Sequence, residues 1–221
     1  MTWTIPNILT VLRLLAAPGV AVMFLYFHRP WADWFALALF ISAAITDFFD
    51  GYLARLWKQE SKFGAMLDPI ADKAMVLIAI MVITGYSGMN PWLILPATVI
   101  LFREVFVSGL REFLGAKAGL LKVTKLAKWK TTAQMVAIAI LFLGTGLEHI
   151  HMTTYEAMDA AEYSAAMEQG PRDWNELWLV AQGSFYARIT GYVLIWLAAI
   201  LTFITGWDYF RKALPHLKDE P

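Results

Sequence analysis

Six stretches of this chain are apolar for about twenty residues each, the length a helix needs to cross the hydrocarbon core of a bilayer. They run from Ile5 to Tyr26, Trp34 to Trp57, Gly64 to Tyr86, Pro91 to Leu114, Thr131 to Leu147 and Phe185 to Trp207. Their apolar residues are continuous rather than alternating, and lipid permits only helices or closed barrels. The expected fold class is therefore an all-α integral membrane protein with about six transmembrane helices. Hydrophobic residues fill 59% of the 221 positions, more than an ordinary globular domain carries. That length allows a single membrane-embedded domain over residues 1–221. Formal net charge is zero, so no global basic field points to nucleic acid. The absence of cysteine excludes thiol redox chemistry, disulfides and cysteine-ligated zinc. Met1 to Pro6 lacks a basic region, and the apolar run that follows is too long for a signal peptide, so it is read as the first span.

Lysine and arginine asymmetry sets the expected orientation. Lys58 and Lys62 lie between the second and third spans. Lys117, Lys122, Lys125, Lys128 and Lys130 lie between the fourth and fifth, and Arg211, Lys212 and Lys218 are in the tail. With six spans these all fall on one side, so both termini are expected in the cytoplasm. Glu148 to Ser184 carries seven acidic residues against Arg172 alone and reads as an acidic extracytoplasmic insertion. Within it, Thr153 to Met167 has the spacing of a surface helix, broken by Gly170-Pro171. Trp174, Leu177 and Trp178 suggest a second short piece at headgroup level.

Against this apolar background stand four carboxylates: Asp47 and Asp50 near the end of the second span, Asp68 and Asp72 near the start of the third. An ionised side chain there is expensive and marks a functional site by default. Helical geometry makes Asp47 and Asp50 neighbours on one face, which Ala54 continues a turn later. Gly64, Asp68 and Asp72 follow one another at intervals of four. The connection between the spans is short, so these helices are expected to be antiparallel neighbours. Their carboxylates then converge at the cytoplasmic end of a polar cavity. Gly51 and Ala54 leave room for something wide beside them. Four unpaired anions would repel and be heavily desolvated, and Arg55 and Lys73 cannot neutralise all of them. One or two divalent cations would. Oxygen-only ligands favour a hard ion, Mg²⁺ or Mn²⁺, in the company of phosphate. Taken singly, each aspartate also has an ordinary reading as a solvated or capping group, Asp68 before Pro69 especially.

The full string, D-x2-D-G-x2-A-R-x8-G-x3-D-x3-D from Asp47 to Asp72, resembles the signature of the CDP-alcohol phosphatidyltransferase family at all eight defined positions. The resemblance implies transfer of a phosphatidyl or similar group from a CDP-linked lipid to an alcohol, with release of CMP. It implies that Asp47, Asp50 and Asp68 hold metal ions, two in number by analogy with two-metal sites. Asp72 adds to that metal site and serves as base for the acceptor hydroxyl. Gly51, Ala54, Arg55 and Gly64 are implied to surround the CDP moiety. Further resemblance lies in I-P-N-I-L-T-V-L-R from Ile5, F-R-E-V-F-V-S-G-L-R-E from Phe102 and K-W-K-T-T-A-Q-M from Lys128. It points to members that use sn-glycerol 3-phosphate with CDP-diacylglycerol, in a bacterial inner membrane, as homodimers with a cytoplasmic active site. Arg103, Arg111 and Lys130 are suited to the acceptor phosphate, where arginine offers bidentate contacts. An ion pair of either arginine with Glu104 or Glu112 is the alternative. Asn7 and Arg13 are further headgroup candidates, with snorkelling to the surface as the other reading of Arg13.

Three alternatives remain. An acceptor such as inositol phosphate, serine or phosphatidylglycerol keeps the chemistry; an uncharged one would not need Arg103, Arg111 and Lys130 together. A cation transporter would also use intramembrane carboxylates, but no internal repeat is visible and the aspartates lie at one interface. Prenyl-diphosphate chemistry would leave Gly51, Ala54, Arg55 and Gly64 without a role.

Overall fold

The computed structural model describes residues 4–57, 61–115, 125–172 and 175–217, with the side chains of residues 48, 50–55 and 125–128 outside the description. Seven α-helices appear among the described residues: α1 (Ile5–Tyr26), α2 (Trp31–Leu56), α3 (Lys62–Tyr86), α4 (Pro91–Leu114), α5 (Lys125–Ala157), α6 (Ala160–Gln169) and α7 (Glu176–Ala213). Local chemistry explains several boundaries. Thr4 caps α1 by accepting from the Asn7 amide, with Pro6 in the first turn, where its missing N–H costs nothing. Asn90 caps α4 in the same way, followed by Pro91, and Gly115 ends that helix at φ 52°. Asp159 caps α6 through the amides of Ala161 and Glu162, and Gly170 closes it at φ 66°.

The all-helical expectation holds. Four helices are long and apolar enough to span a bilayer: α1, α4, α5 over Trp129–Ala157, and α7 with its extension, Glu176–His216. The other two expected spans correspond to α2 and α3, which are 26 and 25 residues long. Their aspartates and basic residues lower their apolar character. Several boundaries differ from the expectation. The fifth and sixth spans are parts of longer helices, because polar residues extend the helices beyond the apolar windows. The surface helix expected from Thr153 begins only at Ala160, since α5 continues to Ala157 and Asp159 restarts the chain. Leu177 and Trp178 lie in the first turn of α7 instead of forming a separate piece, while Trp174 is outside the described residues. Pro69 lies inside α3, so Asp68 does not start that helix.

The chain divides into two compact units. The first comprises Met1–Ile83 and Ile138–Gly191; the second comprises Thr84–Ala137 and Tyr192–Pro221. In the first, α1 packs along α2. Ala17, Val20 and Phe24 of α1 are buried, as are Ala32, Ala36 and Phe40 of α2. Small residues let helix backbones approach where burial from water gives no driving force. Phe142 of α5 stacks on Phe24 and meets Phe40 edge-on, with centroids 5.8 and 5.9 Å apart. Gly191 of α7 is required where it stands: a Cβ there would lie 2.6 Å from Leu141 of α5. Farther along, Arg29 grips buried Asp33 with two hydrogen bonds of 2.8 and 2.6 Å and donates to the Thr145 carbonyl at 2.9 Å, tying α2 to α5.

In the second unit, Leu93, Ala97, Ile100 and Val107 of α4 are buried, as are Ile195, Ala198 and Ala199 of α7. Trp196 Nε1 donates to the Trp92 carbonyl at 3.0 Å, and Asn90 Nδ2 donates to the Tyr192 hydroxyl at 3.0 Å.

Phe142 is fully buried between two aromatic rings. Phe142→Ala is expected to destabilise the protein by about 3–5 kcal/mol, read as a lower unfolding midpoint in detergent.

Candidate active site

The polar face of α1 organises the site. Asn7, Thr10 and Arg13 recur every three residues and are all buried, at 4%, 2% and 3% exposure. They meet, in order, Gly64, Asp68 and Asp72 of α3. At the first level a Cβ on Gly64 would sit 2.8 Å from Asn7 Oδ1, which leaves space for glycine alone. Ser61 Oγ donates to that same Asn7 oxygen at 2.8 Å and accepts from the Gly64 amide at 3.0 Å, fixing the first turn of α3. At the second level the Thr10 hydroxyl donates to Asp68 Oδ1 at 2.8 Å and also lies 3.1 Å from the Pro6 carbonyl. At the third, Arg13 Nη1 donates to Asp72 Oδ1 at 3.0 Å and to Asp47 Oδ1 of α2 at 2.5 Å.

Arg13 of α1 thus ties α2 and α3 to its own helix through Nη1. Its side chain is 2% exposed, while the two carboxylates are each 42% exposed. The buried cation is neutralised from the wet side by anions that keep part of their hydration. A snorkelling Arg13 is excluded by this burial. The two carboxylate oxygens point at one position, an arrangement that also suits a metal cation with hard oxygen ligands. Among the described residues no group of three or more His, Cys, Asp or Glu side chains gathers closely enough to hold a metal. Asp68 is held one turn from Asp72 by Thr10. Asp50, Gly51, Ala54 and Arg55 lie on α2, with side chains outside the described residues.

The second unit holds the other candidates. Glu104 of α4 is buried and accepts through Oε1 from Arg103 Nη1 at 2.9 Å and from Lys130 Nζ of α5. The pair with Glu104 foreseen as the alternative for Arg103 therefore exists. Arg111, two turns later, is exposed and lies over the Tyr209 ring of α7, 5.5 Å from its centroid. Gly206 of α7 is in close contact with Arg103: a Cβ would fall 2.7 Å from Arg103 Cγ. Gln134 Nε2 donates to Thr202 Oγ1 at 2.9 Å. Lys117 and Lys122 lie outside the described residues. Arg188 pairs with Glu148 at 3.2 Å, both about half exposed.

Comparison with known proteins decides the family. The CDP-alcohol phosphatidyltransferase pattern matches residues 3–167. The chain belongs to that family. It is similar to the CDP-diacylglycerol–glycerol-3-phosphate 3-phosphatidyltransferase of Cereibacter sphaeroides, at 77% identity over 100% of both chains. It is also similar to proteins of that description from Rickettsia bellii, at 37% identity over 94% of this chain and 93% of the relative, and Salmonella typhimurium, at 33% identity over 100% of both.

In this CDP-alcohol phosphatidyltransferase, reading the residues missed Thr10 and gave Asn7 and Arg13 no partners. The signal was present as three polar residues at helical spacing inside an apolar run. Arg13→Gln leaves Asp47 and Asp72 facing each other without their shared cation. It is expected to destabilise the protein by about 1–3 kcal/mol, less than for a fully buried pair because both carboxylates are partly hydrated. Detergent unfolding measures this, and Thr10→Val should cost less.

Proposed function

We propose that this protein transfers the phosphatidyl group of CDP-diacylglycerol to the hydroxyl of sn-glycerol 3-phosphate, releasing CMP and forming phosphatidylglycerophosphate. The observation that carries this reading is full-length similarity to enzymes of that description. Six spanning helices, a bacterial inner-membrane location, cytoplasmic termini and a cytoplasmic site belong to the same proposal, as does a homodimer, which rests on the family resemblance alone.

In this reading the acceptor hydroxyl oxygen attacks the lipid-side phosphorus, the bond to the bridging diphosphate oxygen breaks, and CMP leaves with that oxygen. Asp72 takes the hydroxyl proton. Its partial exposure leaves a carboxylate oxygen within reach of a substrate, and Arg13 fixes its direction. Asp47, Asp50, Asp68 and Asp72 are assigned to hold Mg²⁺ or Mn²⁺, which when bound would neutralise the diphosphate and the departing charge. Thr10 holds Asp68 in place for this. Gly51, Ala54, Arg55 and Gly64 are assigned to the CDP moiety. None of the eight defined positions of the site motif is Ser, His or Cys, which favours direct displacement over a covalent intermediate. Arg103, Arg111 and Lys130 are assigned to the acceptor phosphate. Arg103 and Lys130 share one buried carboxylate, Glu104, and Arg111 lies over the Tyr209 ring, a basic cluster that favours an anionic acceptor over serine.

An acceptor screen with CDP-diacylglycerol tests the whole reading. CMP release is expected with sn-glycerol 3-phosphate and should stop on chelation by EDTA; full activity in EDTA would sink the metal assignment. Asp72→Asn is expected to bind the liponucleotide but to lose at least about a hundredfold in turnover, the lower range for general-base catalysis. Arg111→Ala should raise KM for the acceptor more than KM for the lipid; equal effects would mark it as structural.

A further inference from the structure

Two buried polar atoms of the second unit have no hydrogen-bond partner among the described residues: Arg103 Nε and the Tyr209 hydroxyl. Both can donate. A buried donor left unpaired is costly, and each such group in a folded protein calls for an explanation. Tyr209 is 93% buried, being 7% exposed, so bulk water does not readily serve it. It lies on the inward stripe of α7 with Thr202, Thr205 and Ala213, all buried. The two donors lie along one seam: Arg103 packs on Gly206, and Arg111 covers the ring of Tyr209 about one helical turn later.

The charge along this seam is unbalanced. Glu104 accepts from both Arg103 and Lys130, so one carboxylate serves two cations, and Arg111 adds a third. Unmade donors together with excess positive charge specify a ligand that is anionic and rich in acceptors. A phosphate monoester has both properties. Arg111 also fixes the plane of the phenol, which is therefore oriented before any ligand arrives.

We infer that Tyr209 is a specificity-determining residue of the acceptor subsite, its hydroxyl donating to a phosphate oxygen of the acceptor while Arg103 Nε donates to another. The inference rests on the reading of the acceptor as a phosphate-bearing alcohol. It goes beyond the family pattern, which ends at residue 167 and does not reach α7.

Tyr209→Phe keeps the ring beneath Arg111 and removes only the hydroxyl. It is expected to raise KM for sn-glycerol 3-phosphate roughly tenfold, the size of one hydrogen bond to a charged group. KM for CDP-diacylglycerol should stay unchanged, and the unfolding midpoint without acceptor should not fall, since the substitution removes an unpaired buried donor. The protection that sn-glycerol 3-phosphate gives against thermal unfolding in detergent should weaken in parallel. An unchanged acceptor KM, or equal rises in both KM values, overturns the inference. Glycerol and sn-glycerol 3-phosphate are compared on the wild-type protein in the same assay. Equal use of both would sink the phosphate-acceptor reading and this inference with it. A wild type that demands the phosphate beside a silent Tyr209→Phe would sink this inference alone.

Discussion

A guanidinium with 2% of its side chain exposed is the constraint on which the first unit depends. Burying Arg13 unpaired would be prohibitive, so α2 and α3 must each deliver a carboxylate to it. That requirement fixes the rotation of both helices about their axes. It also holds two like charges together that would otherwise separate. The carboxylates remain partly hydrated, which lowers the cost of the cluster. Asn7 and Thr10 extend the same constraint along α1, so the register between α1 and α3 is set at three successive levels. Gly64 is the steric counterpart: at the first level the helices meet closely enough that only a hydrogen fits beside Asn7.

Much of this was legible in the sequence, and the missing part has a physical cause. The aspartate motif is local, so its spacing and its conflict with an apolar setting could be read directly. Arg13 pairs with residues 34 and 59 positions away, and Thr10 with one 58 positions away. No helical periodicity reveals such partners. A lone Arg or Thr in a span is compatible with snorkelling or with a bond to its own backbone, and only the packing of three helices decides. The convergence of all four aspartates was a different kind of expectation. The structure brings Asp47 and Asp72 to one nitrogen and places Asp68 a turn away, with the Asp50 side chain outside the described residues.

Helix ends were misjudged for another reason. Hydropathy marks where lipid begins and ends, whereas a helix stops where its backbone groups find other partners. α5 runs on past Leu147 through His149 and His151, and α7 begins at Glu176, well before the apolar window opens. The caps were readable in retrospect. Asp159 followed by a helix-compatible run and Gly170 before proline are ordinary start and stop signals. The stop at Gly170-Pro171 agrees with the expectation; the start does not, because the spacing of Tyr155, Met158, Ala161 and Met167 runs through Asp159 as if one helix continued. Tyr155 and Tyr163 do meet, with centroids 4.8 Å apart, but across the break between α5 and α6.

Zero net charge conceals two opposite local excesses. The first unit concentrates acids around Arg13; the second concentrates bases around Glu104. Neither group is neutral by itself, and screening by water is limited where side chains are buried. Each excess therefore selects for a complement of the opposite sign. In the proposed reading the carboxylates would select cations, and the cations of the α4–α7 seam would select an acceptor rich in oxygen. A chemistry that joins a diphosphate to a phosphate-bearing alcohol must manage several negative charges at once. A uniformly basic protein would do so by holding every anion equally well. Segregated charge of both signs would allow substrates to be told apart, because a phosphate suits only the basic cluster and a metal ion only the acidic one. In the proposed acceptor subsite the unpaired donors of Arg103 and Tyr209 would become a source of selectivity: an uncharged acceptor would leave them unmade, and the penalty for that would fall on the wrong substrate rather than the right one.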